Sequence, residues 1–137
     1  MKKIGLLFVL LFGFQLGFLA QTLKHQIVFQ VVTADTMAHK AFMKQLNNIY
    51  TISPESVVKV VVHGPGIDMY TASKSVVGSQ LQQAVERGVV FEICEFSLKE
   101  RKVDKAMLFK HAQFTPAGII RIVELQEAGF SYVKAGF

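Results

Sequence analysis

One cysteine, Cys94, stands among the 137 residues, and a lone thiol excludes an internal disulfide. The four histidines, His25, His39, His63 and His111, do not have the spacing of a metal site, with one another or with Cys94, so no metal is expected. The glycines fall in no phosphate-loop or dinucleotide pattern, and no cofactor is called for. There is no internal repeat and no low-complexity linker. Charge of one sign is also scarce, because 15 basic residues face 10 acidic ones and the formal charge is only +5, which is no nucleic-acid signature. Nowhere does an apolar run reach the roughly 20 unbroken residues of a spanning helix.

The nearest approach to such a run is at the start. Met1-Lys2-Lys3 precedes an apolar stretch that carries Gln15 and three glycines, two of them flanking Gln15, before ending at Ala20. A charged start, an apolar centre and a small final residue read as a secretory signal peptide over residues 1–20, cut after Ala20. Phe18 is large for the position two before the cut, so a retained anchor is the alternative. No cysteine is available here to carry a lipid. Taking Lys2 and Lys3 from the 15 basic residues leaves 13 against 10 acidic, a formal charge of +3 for residues 21–137. That length suits one domain with its own core. The expected location is periplasmic or secreted, where an unpaired thiol is free, capped, joined to another chain, or working.

After this leader the chain alternates. A strand is expected over residues 26–32, then Thr33, Asp35 and Thr36 offer capping groups for a helix whose inner face is Ala38, Ala41, Phe42, Leu46 and Ile49, with His39, Lys40 and Lys44 turned elsewhere. Ser53-Pro54 ends it. A second strand, residues 57–62, runs into the turn His63-Gly64-Pro65-Gly66. A helix over residues 75–87 leads through Gly88 to a third strand at 89–94, which ends on Cys94. Residues 95–102 read as one or two helical turns and residues 104–110 as a short helix. Residues 112–114 form a short strand, Thr115-Pro116 opens a helix that stops at Gly129, and residues 130–133 form a last strand. This order predicts a three-layer α/β/α domain with a mostly parallel sheet of about five strands.

Ligands of parallel sheets gather at the carboxyl ends of the strands. Cys94 is at such an end, and so is His63. A free cysteine in an apolar strand is also a small residue that fills space, and position alone leaves both readings open.

Three stretches carry a resemblance to a known family. They are Val60-Val61-Val62-His63-Gly64-Pro65-Gly66-Ile67, Val89-Val90-Phe91-Glu92-Ile93-Cys94 followed by Ser97-Leu98, and the carboxyl-terminal part from Thr115-Pro116-Ala117-Gly118-Ile119 through Leu125-Gln126-Glu127-Ala128-Gly129-Phe130-Ser131-Tyr132-Val133-Lys134. Together they resemble the DsrE-like sulfur-relay proteins, the DsrE, DsrF and DsrH group, and most of all the exported branch of that family. The resemblance implies a parallel-sheet fold, homo-oligomers with thiols near subunit boundaries, and a cysteine that carries sulfur as a persulfide. Cys94 matches that cysteine. Ser97 stands where the family pattern leads one to expect threonine, and an exported setting departs from the cytoplasmic relays.

A persulfide carrier needs a thiolate, and a helix amino end or a cation lowers a thiol pKa. A helical turn starting near Glu95 would favour the anion by roughly 0.3 to 1 kcal/mol. Lys99, Arg101 or Lys102 would add to this if they reached the sulfur, and Glu92 and Glu95 would oppose it. His63 is a candidate proton donor or acceptor, or merely a residue bonding its own turn. Gly64, Pro65, Gly66 and Ser97 are candidate ligand-binding residues, the turn offering N–H groups to an anion. The mixed run Lys99, Arg101, Lys102, Lys105 and Lys110 is either a solvated face or a dock for an acidic partner. Phe130, Tyr132 and Phe137 suit either the core or a neighbouring subunit. The leading reading is an exported sulfurtransferase-like carrier working through Cys94 with a sulfur donor or acceptor protein as partner. The alternatives are a non-catalytic oligomeric module that binds a small ligand at the same rim, and a purely structural assembly protein.

Overall fold

A computed structural model describes residues 24–136. Five strands, β1 (Gln26–Val31), β2 (Val57–Val62), β3 (Val90–Cys94), β4 (Gln113–Thr115) and β5 (Ser131–Lys134), form one sheet in the order β4-β3-β2-β1-β5. All four pairings are parallel. Among the described residues four α-helices accompany them: α1 (Thr36–Ile52), α2 (Gly78–Glu86), α3 (Glu95–Glu100) and α4 (Gly118–Glu127). Single 3-10 segments cover Gly64–Met69 and Lys105–Met107.

The valine-rich strands are what a sheet covered on both faces requires. Val58, Val60, Val61 and Val62 of β2 are all fully buried. On one face β1, β2 and β3 meet α1, α2 and the first 3-10 segment in a large core built around Phe29, Phe42, Leu81, Phe91 and Ile93. On the other face α4 alone lies over Val28 and Val61 with Ile122 and Leu125. This single helix begins at the carboxyl rim of the sheet and returns across β3, β2 and β1 to deliver β5 beside β1. The expected α/β sheet is therefore present, and wholly parallel.

Several boundaries differ from the sequence reading for local reasons. β1 stops at Val31, not residue 32. Asp35 caps α1 as expected, accepting from Met37 N–H at 2.8 Å, but His39 is turned inward and buried, with Nε2 2.7 Å from the Thr33 carbonyl oxygen. The helix expected from residue 75 starts at Gly78, because Thr71 to Val77 is taken up by turns and by the antiparallel bridge of Thr71 with Leu108. The same bridge reduces the helix expected at 104–110 to one 3-10 turn, since Leu108 must be extended to reach it. Pro116 does not open α4. Thr115 pairs with Cys94 in the sheet, Ala117 is still extended, and the helix begins at Gly118. The expected leader, residues 1–20, and Phe137 lie outside the described residues. Among the described residues no helix is long and apolar enough to cross a membrane.

Candidate functional site

Cys94 is the last residue of β3 and the residue immediately before α3, with extended backbone angles. The next chain segment to pass it is the start of α4. Gly118 N–H donates to Cys94 Sγ at 3.2 Å, and Sγ lies 3.9 Å from the Pro116 carbonyl oxygen. The sulfur thus sits where the amino ends of two helices converge, at the carboxyl rim of a parallel sheet. It is 4% exposed.

Burial pushes the thiol pKa up. The Ser97 hydroxyl and the backbone N–H groups of Ser97, Gly118 and Phe96 together outweigh it, so the thiol lies below its ordinary value. All four donors are neutral. Of the cations expected to help, Lys99, Arg101 and Lys102, none is among the groups that lower the thiol, and Arg101 pairs instead with Asp68 at 3.3 Å. Lys105, farther along the same run, pairs with Glu95 and lies over the Phe114 ring, 4.1 Å from its centroid. The feared carboxylates are also paired. Glu92 is two residues before Cys94 on the same face, but Arg121 of α4 grips both its oxygens and Lys59 stands 3.4 Å away. Burial raises the Glu92 pKa, and the hydrogen bonds and charge of Arg121, with Lys59, more than reverse that shift.

Ser97 has a second task. Its Oγ accepts the Gly64 N–H at 2.9 Å, leaving its own O–H for the Cys94 sulfur. Gly64 has a φ of +52°, a left-handed angle that suits glycine, and this turns its N–H toward α3. Gly66 N–H bonds the His63 carbonyl at 3.1 Å, and Pro65 has no N–H. The Gly64-Pro65-Gly66 turn therefore directs its donors inward and supports Cys94 through Ser97; it does not present them to an external anion. Gly66 is glycine for another reason, since a Cβ there would stand 2.4 Å from the Val31 carbonyl oxygen. Asp68 ties this segment to Lys74 at 2.9 Å and to Arg101, the residue just after α3.

His63 follows β2 directly. Val62 pairs with Ile93, so the next residues along, His63 and Cys94, are neighbours across the two strand ends. Both press on Gly118, where an added Cβ would meet His63 Cβ at 3.1 Å and Cys94 Cβ at 3.3 Å. Half-burial lowers the His63 pKa, favouring the neutral ring. Its Nε2 lies 2.8 Å from Nε2 of Gln30, and Tyr132 O–H donates to the Oε1 of that glutamine. Gln30 and Tyr132 also wall a groove of about 230 Å³ between α4 and β5, with Ile119, Ile122 and Val123.

Gly118, Arg121, Gln30 and Tyr132 were not singled out as site residues by sequence reasoning. Gln30 had a signal, being polar in the otherwise apolar run Ile27-Val28-Phe29-Gln30-Val31. Gly118 also had one, as a glycine just after Thr115-Pro116-Ala117, where a helix opens. Arg121 and Tyr132 had none, because their partners are 29 and 102 residues away. His25, His39 and His111 are not brought to Cys94 by any hydrogen bond, and among the described residues no cluster of three or more His, Cys, Asp or Glu side chains could hold a metal ion.

Comparison with known proteins places this geometry in context. A family model described as DsrE/DsrF-like matches residues 20–135. Among solved structures, a protein of unknown function, MTH1491, from Methanobacterium thermoautotrophicum is similar, with a TM-score of 0.77 and 19% identity over 81% of this chain and 99% of that one. At that identity the likeness is one of fold. No curated protein matches the sequence significantly.

Proposed function

Given that this chain belongs to the DsrE/DsrF-like family, whose members point to sulfur-relay-type function, we propose that it carries sulfur as a persulfide on Cys94. The observation that carries this reading is the ring of neutral donors around Sγ, which lowers the thiol pKa in a place with no nearby cation to do so. In the proposed step the Cys94 thiolate attacks the outer sulfur of a low-mass persulfide or polysulfide. A sulfur–sulfur bond forms on Cys94, the donor's own sulfur–sulfur bond breaks, and the donor leaves as a thiolate or, from inorganic polysulfide, as a polysulfide anion one sulfur shorter. An acceptor thiolate then attacks the outer sulfur, regenerating the Cys94 thiolate. No external oxidant or reductant is needed, because one sulfane sulfur is exchanged for another. The slight exposure of Sγ favours a slender donor such as inorganic polysulfide over a folded protein surface.

The same reading includes self-association. Ile119, Ile120 and Val123 are exposed on α4 next to the Gly118 end, and Tyr132 is exposed on the edge strand beside them. A second copy of the chain covering this face would place a subunit boundary near Cys94. The leader at residues 1–20 would put the carrier outside the cytoplasm, and a mature protein beginning at Gln21 is the expected product, read by amino-terminal sequencing.

The test is the pH dependence of Cys94 alkylation, followed by mass spectrometry after incubation with polysulfide, with C94S as control. A lowered midpoint and a one-sulfur adduct on Cys94 support the reading. A thiol that reacts only on unfolding and never gains sulfur overturns it.

A further inference from the structure

We infer that Gln30 is a positioning residue that holds His63 as the neutral Nδ1–H tautomer, so that the imidazole beside Cys94 acts as a hydrogen-bond donor and not as its base. The contacts run along one face of the sheet, from the edge inward. Tyr132 on β5 pairs in register with Val28, and Lys134 with Gln30, which brings the Tyr132 phenol beside the Gln30 side chain. A phenol oxygen can donate or accept, and because the Gln30 amide is oriented with Oε1 toward Tyr132, the phenol O–H is the donor in this contact. The other end of the amide is then an NH2 group, which only donates, and it lies 2.8 Å from His63 Nε2. Two donors cannot share that contact. With the amide in this orientation Nε2 offers its lone pair, and the ring proton resides on Nδ1. Free histidine side chains favour the opposite tautomer, so this pair of bonds selects the minor form.

The surroundings agree. Protonating His63 would put an Nε2–H against the Gln30 NH2 group, and burial alone already disfavours the cation. The titratable groups facing His63 are Cys94 on β3 and, through Gln30, Tyr132 on β5. The charged side chains on this face of the sheet are Lys59, Glu92 with Arg121 above it, and Lys134. None of these is hydrogen-bonded to the ring. With its only lone pair directed at Gln30, His63 has no acceptor left for the Cys94 proton. This explains in structural terms why the lowered thiol is served by neutral donors and not by an imidazolium.

The significance for sulfur transfer rests on the proposed function, but the tautomer itself does not. The experiment is nitrogen-15 NMR of the His63 ring in the full mature chain, as wild type, Q30E, Q30M and Y132F, alongside the Cys94 alkylation profile. The expected wild-type ring carries its proton on Nδ1, and Cys94 alkylation shows one ionisation with no step at the His63 midpoint. Q30E replaces the donor by a carboxylate, so the ring should gain an Nε2–H and its midpoint should rise by about one unit or more. Q30M, which adds no charge, and Y132F, which releases the amide, should move the ring toward the Nε2–H form. An Nε2–H ring in the wild type, or a His63 titration that Q30E leaves unmoved, overturns the inference. Normal sulfur loading on Cys94 with an Nε2–H ring would overturn this inference alone, whereas an Nδ1–H ring on a protein that never takes up sulfur would overturn the carrier reading alone.

Discussion

Gly118 and Cys94 lie 24 positions apart in sequence, yet the N–H of one donates to the sulfur of the other at 3.2 Å. The bond fixes the amino end of α4 to the carboxyl end of β3. It also favours a glycine, because a Cβ at 118 would press on the Cβ atoms of His63 and Cys94 at 3.1 and 3.3 Å.

G118A should therefore push the start of α4 outward by a few tenths of an ångström and weaken the N–H bond to sulfur. A hydrogen bond to a charged group contributes about 1.5 to 3 kcal/mol, and three other donors remain, so the Cys94 pKa should rise part of the way back toward its ordinary value. Overpacking adds a stability loss of about 1 to 3 kcal/mol. Alkylation rate against pH reads the first effect and urea unfolding the second. An unchanged thiol midpoint would show that Gly118 is needed only for packing.

Ser97 joins the two strand ends through one hydroxyl, accepting from Gly64 and donating toward Cys94. S97A should raise the thiol pKa and leave the Gly64 N–H without its partner, at a cost of about 1 to 3 kcal/mol. S97T keeps the hydroxyl and should retain most of the lowered pKa. The contrast between these two variants separates the hydroxyl from mere volume. Equal thiol midpoints in S97A and S97T would remove Ser97 from the account.

Glu92 should make the fold acid-sensitive. Its folded pKa is below the ordinary 4.5, so the folded state holds the carboxylate more firmly than the unfolded chain does. The associated stability is fully present above about 4.5 and is lost as pH falls through the lowered folded value. Urea unfolding at about pH 7 and about pH 3 should show that loss in the wild type and a smaller one in E92Q. R121M leaves a buried carboxylate with Lys59 as its remaining partner and should cost about 3 kcal/mol near neutral pH. It should also raise the Cys94 pKa, since Arg121 ties α4 to β3 one turn beyond Gly118. A pH-independent difference between wild type and E92Q would contradict the assignment.

What the sequence made legible follows from period and punctuation. Buried valine runs, Asp35 before α1 and Gly129 after α4 are local signals, and the parallel α/β order could be read from them. Cys94 and His63 were placed at strand ends for the same reason. The fine structure of the rim was not legible because its bonds join distant residues: Gly64 to Ser97, Gln30 to His63, Glu92 to Arg121. How the turn spends its N–H groups was not legible for the same reason. A Gly-Pro-Gly turn has the same sequence whether its N–H groups face outward or bond inward, and only the position of Ser97 distinguishes the two.

The apolar positions of α4 present a further contrast. Ile122 and Leu125 are buried against Val28 and Val61, as one amphipathic face requires. Ile120 and Val123 also look like core residues in the sequence, but they are 58% and 44% exposed, because one helix covering this face of the sheet leaves its flank open. A second copy of the chain is the proposed cover. Replacing both residues by glutamate, I120E with V123E, should change the stability of an isolated subunit by only about 0.5 kcal/mol per site, since neither side chain is in the core. In an assembly the same charges would be buried without partners, at a cost that separates the subunits. Light scattering should therefore give a smaller particle for the double variant than for the wild type, with far-ultraviolet circular dichroism unchanged. A wild-type protein that is already monomeric at micromolar concentration, or a variant that keeps the wild-type mass, would mean that this face is not where copies meet. Loss of the oligomer together with the dichroism signal would instead place Ile120 and Val123 in the fold's own stability, contrary to their exposure.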